Sequence, residues 1–98
     1  MEQSEWRSAE AMINRQWPHW WDDPLRITNH ARRRMRERAI SETTVRTALQ
    51  DCRSLSPQAD GETWIACAIL EGTPWRFVMK PNLELRILEM ITLYPLQE

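Results

Sequence analysis

His30, Arg34 and Arg38 recur every four residues through the stretch NHARRRMRERAI. On a helix, positions i, i+4 and i+8 drift by only about 40° per step, so these side chains form one nearly continuous row. An imidazole beside guanidiniums is the pairing that phosphodiester cleavage in RNA requires. One group moves a proton, and another stabilises charge on the phosphate. With the 2′-OH as nucleophile, the chemistry needs no metal or other cofactor. The same residues also suit a solvated helix face with His30 beside the cap, and spacing alone leaves both readings open. Arg32 and Arg33 on the same segment are candidate RNA-binding residues. So are Arg76 and Lys80, which share one side of an alternating stretch; a solvated face is the other reading there.

These candidates sit in a basic block. Residues 1–24 carry two arginines against five acids, residues 25–53 eight arginines against three acids, and residues 54–98 three basic residues against six acids. The total is only −1, so the distribution is more informative than the sum.

The elements that must position the candidates follow from periodicity. Residues 4–16 place Trp6, Ala9 and Ile13 on one stripe, continued by Trp17, and predict a helix that Pro18 stops. Two prolines and two aspartates make 17–24 irregular. Residues 25–28 read as a short extended lead-in. Thr28 or Asn29 then caps a helix to about Arg38, with Ala31 and Met35 facing inward. Ser41 caps a second helix over 42–50, whose buried face is Val45, Ala48 and Leu49. After Asp51 the period shifts towards two. Strands are predicted near 52–58, 62–70, 75–80 and 83–94, with turns at Ala59-Asp60-Gly61, Glu71 to Pro74 and Pro81-Asn82. The expected fold is α+β, with N-terminal helices packed on a three- to four-stranded antiparallel sheet. The expected core is Met35, Val45, Leu49, Ile65, Cys67, Phe77 and Ile87. Residues 1–24 read as a Trp-rich helical extension, and 25–98 as the domain proper.

Other features narrow the classes. Cys52 and Cys67 lack metal-ligand spacing and read as small buried thiols. No apolar run approaches the roughly 18 residues of a membrane span. No signal peptide is evident, so the expected location is cytoplasmic. Trp17, Trp20 and Trp21 could plug the core or form an aromatic surface for a protein partner or for bases.

The stretch ITNHARRRMRERAISETTVRTAL resembles the opening motif of a small prokaryotic family, the domain of unknown function 4258. That motif runs His-Ala, then Met, then Glu-Arg, a small residue, Ile and Ser. The family's extended ending is similar to Ile91-Thr92-Leu93-Tyr94. The resemblance covers about residues 25–94 and departs at Ala39, where the family usually has glycine. It implies a fold similar to the barnase, EndoU, colicin and RelE group of RNases. By that analogy the catalytic set is His30, Arg34 and Arg38 with Thr92 and Tyr94. Thr92 and Tyr94 are two apart and so share a face, with Glu84, Arg86, Leu88 and Met90 at the same parity; if the helix packs over that face, His30 could approach Tyr94.

Two functions follow as expectations. One is a toxin-like, metal-independent endoribonuclease with a cognate antitoxin or immunity protein as partner. The other is a non-catalytic module of the same fold that binds RNA or protein. The discriminator is whether His30, an arginine and Tyr94 converge in an open cleft.

Overall fold

A computed structural model describes residues 17–96. The helix expected over 4–16 lies outside the described residues. A short 3-10 turn, His19–Asp22, leads into strand β1 (Leu25–Ile27), helix α1 (Asn29–Glu37) and helix α2 (Glu42–Gln50). Strands β2 (Ser54–Pro57), β3 (Trp64–Leu70), β4 (Thr73–Asn82) and β5 (Ile87–Pro95) follow. The class is α+β. Among the described residues the sheet has five strands in the order β1-β5-β4-β3-β2.

The sheet is mixed, which corrects the expectation of three or four antiparallel strands. The extended lead-in becomes β1 and pairs parallel to β5, Leu25 with Leu88 and Ile27 with Met90. The other pairings are antiparallel. The connection between them runs through both helices and strands β2 to β4, which is ample for a parallel pairing.

Both helices begin on side-chain caps. The Thr28 hydroxyl accepts from Ala31 N–H at 3.2 Å and donates to the Ile91 carbonyl at 3.0 Å, which ties the start of α1 to β5. Ser41 accepts from Thr44 N–H at 3.1 Å. Helix α1 ends where Ala39 N–H reaches the Arg36 carbonyl and Ile40 N–H the Met35 carbonyl. That is a Schellman ending, with Ala39 in the left-handed region at φ 56°.

The strands turn on local chemistry. The Asp60 carboxylate accepts from the backbone N–H groups of Glu62 and Thr63 and from the Thr63 hydroxyl, which shapes the β2–β3 loop. Glu71 and Gly72, both at positive φ, form the two-residue link between β3 and β4. The β4–β5 turn is 83–86 rather than Pro81-Asn82, because both those residues remain paired in β4.

One face of the sheet meets the helices. Ala31, Met35, Val45 and Leu49 pack with Ala66, Phe77, Met79, Met90 and Leu93 in a single core. Trp20 joins that core and stands edge-on to Trp64 at 5.1 Å, so residues before Leu25 contribute to it. Three expected core residues do not: Ile65, Cys67 and Ile87 are only half-buried. In β3 the even positions face the helices, and Ile65 and Cys67 project from the other side. Ile87 pairs with Asn82 next to the β4–β5 turn.

Candidate functional site

The open face of the sheet is a set of cross-strand rows. One runs Ser54, Cys67, Arg76, Tyr94 across β2 to β5; the next runs Ser56, Ile65, Val78, Thr92. Directly opposed side chains on neighbouring strands have Cβ atoms about 5 Å apart, close enough to interact. Arg76 stands directly opposite Tyr94 on one neighbouring strand and Cys67 on the other. Its pKa is raised above the ordinary arginine value, chiefly by the hydrogen bond to Tyr94, with Cys67 contributing less. No carboxylate pairs with Arg76 among the described residues, so its charge remains available to an anion.

Tyr94 and Thr92 reach this face through a bulge. Val78 pairs with Thr92, but Met79 pairs with Met90, which leaves Ile91 as one extra residue in β5. Before the bulge, Leu88 and Met90 face the core; after it, Leu93 and Pro95 do. The inserted residue inverts the parity, and Thr92 and Tyr94 turn away from the helices. This corrects the expectation that they share a face with Leu88 and Met90.

The helix residues lie on the other side of the molecule. His30 is exposed in the first turn of α1, with no side-chain partner among the described residues. Arg34 is half-buried and pairs with Glu37 at 3.7 Å. Arg38 is exposed and stands over the Trp75 ring, 5.6 Å from its centroid, on the core side of β4. The structure therefore keeps His30 and Arg34 on α1, with Arg38 at its C-cap, but does not join them to Thr92 and Tyr94 in one concave surface.

The remaining candidates divide by partner. Arg32 pairs with Glu42 at 3.0 Å, and Glu42 is also held by Arg46. The Arg46 hydrogen bond first, and Arg32 second, hold the Glu42 carboxyl below its usual range. Arg33 is exposed and makes no ion pair among the described residues. Lys80 faces the same side as Arg76 but pairs with Glu62 at 3.1 Å, which raises its pKa. Arg26 pairs with Glu89 nearby at 3.4 Å.

Cys67 is the residue the sequence reading missed. Assigned to the core, it is half-buried on the open face, directly opposite Arg76. The signal was the cross-strand register of β3 with β4, which no periodicity within one strand reports. Cys52 is a separate case. Burial pushes its thiol up to about 12, and its sulfur donates to the Ser54 carbonyl at 3.2 Å. No group of three or more His, Cys, Asp or Glu side chains converges among the described residues. No helix there is long and apolar enough to cross a membrane.

Fold and site together define an α+β protein with helices on one face of a mixed sheet and the cross-strand pair Arg76–Tyr94 on the other. The chain belongs to the family described as Domain of unknown function (DUF4258), which matches residues 27–95. The match runs from the last residue of β1 to the end of β5 and so includes both the α1 row and the Arg76–Tyr94 pair. No curated protein and no solved structure matches the chain.

Proposed function

We propose that this protein is a toxin-like, metal-independent endoribonuclease whose working surface is the open face of the sheet. The observation that carries this reading is the cross-strand pairing of Arg76 with Tyr94, a cation with no carboxylate partner among the described residues opposite a phenol. Arginine suits a phosphate because its planar fork donates two parallel hydrogen bonds and stays charged. With RNA on this face, Arg76 binds the non-bridging oxygens of the scissile phosphate. The 2′-OH loses its proton to solvent and attacks phosphorus. The bond to the 5′-oxygen breaks, and Tyr94 gives that oxygen its proton. Thr92 and the serines of β2 border the path. The family resemblance adds a cognate antitoxin or immunity protein that would cover this face.

The test is cleavage of a labelled single-stranded RNA and of its 2′-deoxy counterpart. The RNA is expected to yield 2′,3′-cyclic phosphate ends, and the deoxy strand to stay intact. Tyr94→Phe is expected to slow cleavage by about 100- to 10,000-fold. Arg76→Ala is expected to weaken RNA binding and lower the salt slope by about 0.7. His30→Ala is expected to change little. Loss of cleavage in His30→Ala with Tyr94→Phe unaffected would move the chemistry to the α1 row. No cleavage by the unaltered protein, with Arg76→Ala still weakening binding, would favour a non-catalytic RNA-binding module.

A further inference from the structure

The cross-strand row beside Cys67, Arg76 and Tyr94 is unused by that chemistry. Ile69 pairs with Pro74, and Leu96 N–H donates to the Pro74 carbonyl at 2.9 Å. The three therefore stand side by side across β3, β4 and the residue just past β5. Each is two residues from a member of the Arg76 row, which places it on the same open face. Ile69 and Leu96 are each 42% exposed, and Pro74 is half-buried. The row thus shows water an apolar strip next to a cation, with no polar side chain of its own. The far end of the face differs. There Arg26 pairs with Glu89 and Lys80 with Glu62, and Lys80 also stands opposite Glu89. Those charges answer one another, so that end offers an anion little.

We propose that the Ile69–Pro74–Leu96 row seats a nucleobase of the RNA whose phosphate lies on Arg76. The inference rests on the reading of this face as an RNA-cleaving surface. Three features select a base as the occupant. Rows two residues apart lie about 7 Å from each other at 3.3–3.4 Å per residue, one step from a phosphate to the base of an adjoining nucleotide. The strip is about 10 Å wide over three strands, room for one planar ring. That is far short of the roughly 800 Å² each partner gives to a stable protein interface. Finally, a row without polar side chains suits the face of a base and not its hydrogen-bonding edge. Every base has such a face, so the seat accepts any of the four.

The test is methyl NMR of the full chain titrated with the deoxyadenosine dinucleotide d(ApA), which lacks the 2′-OH and stays intact. Ring currents from a seated base are expected to shift the Ile69 and Leu96 methyl signals upfield, with changes also in the Tyr94 ring signals. Two analogues, each with an abasic sugar in place of one deoxyadenosine, assign the seat: one is expected to keep the methyl shifts and the other to lose them. Leu96→Ser is expected to weaken d(ApA) binding about fivefold, the low end for a stacked base, and to leave binding of inorganic phosphate unchanged. Ile69→Thr, at an equally exposed position, replaces it if thermal melts show that Leu96→Ser does not fold. Shifts at Tyr94 without shifts at Ile69 and Leu96 would overturn the seat and spare the reading beneath it. So would methyl shifts that persist with both abasic analogues, or that follow protein concentration without d(ApA), the mark of a contact between copies. No shift anywhere on the open face, or shifts that survive in Arg76→Ala, would overturn both.

Discussion

Arg76 differs from Arg32, Arg34 and Arg46 in what surrounds it. Those three answer to Glu37 or Glu42, whereas the cross-strand neighbours of Arg76 are Tyr94 and Cys67. An exposed ion pair contributes little to stability, yet it does lower the net charge available to a polyanion. Single residues also set the local backbone. Ala39 occupies the left-handed position that ends α1, where a Cβ costs about 1–2 kcal/mol. Part of that cost is offset by the greater freedom glycine has in the unfolded chain. Ala39→Gly is therefore expected to stabilise the protein by about 0.5–1 kcal/mol, read as an increased urea midpoint at constant slope. Thr28 serves two elements at once through its cap and its bond to Ile91. Thr28→Val keeps the shape and loses both bonds, an expected cost of about 1–2 kcal/mol in the same measurement.

Among the elements, the joint between the two helices is electrostatic at its rim. Glu42 receives Arg32 from α1 and Arg46 from α2, and Arg46 also donates to the Leu25 carbonyl of β1 at 3.2 Å. The pKa of Glu42 is depressed in the folded protein, so its stabilising contribution is fully present above the ordinary value of 4.5. It is lost as pH falls through the lowered folded value. Glu42→Gln is expected to reduce slightly the fall in Tm with pH below about 4.5, because the exposed pair contributes little. Identical acid profiles would show that the clasp contributes nothing. Strand β5 depends on its bulge in a different way. Deleting Ile91 would remove the bulge and set Met90 and Thr92 in simple alternation, with Thr92 and Tyr94 still opposite Val78 and Arg76 on the open face.

At the scale of the molecule, the core is one layer between two helices and a sheet. Phe77 lies at its centre, fully buried on β4 with Leu93 and Ala66 as cross-strand neighbours. Phe77→Ala is expected to cost about 3–5 kcal/mol, because side chains on three strands cannot collapse together into the void. A loss under 1 kcal/mol in denaturant titration would contradict that packing. Covering one face with helices leaves the other free to carry chemistry. The charges that dominate the basic block, Arg32 to Arg38, thus sit on the helix layer, while the candidate pair lies across the sheet.

The amino-acid sequence by itself determined the α+β class, the two capped helices, the change of period after Asp51 and the inward faces of α1 and α2. Each of those depends on neighbours within a few residues: Thr28 with Ala31, Ser41 with Thr44, and the 3- and 4-residue spacing of Val45, Ala48 and Leu49. The family, too, was legible in the run from Ile27 to Leu49 together with the ending near Tyr94. Tertiary structure decided the rest. Whether Leu25–Ile27 hangs free or joins the sheet depends on a partner about sixty residues away, which local pattern does not encode. A strand's period of two assigns faces only until an inserted residue inverts them, and Ile91 is such an insertion. The placement of Tyr94 beside Arg76, away from His30, follows from that one bulge and from the register of β4 with β5. Both are set by long-range pairing, not by the residue types themselves.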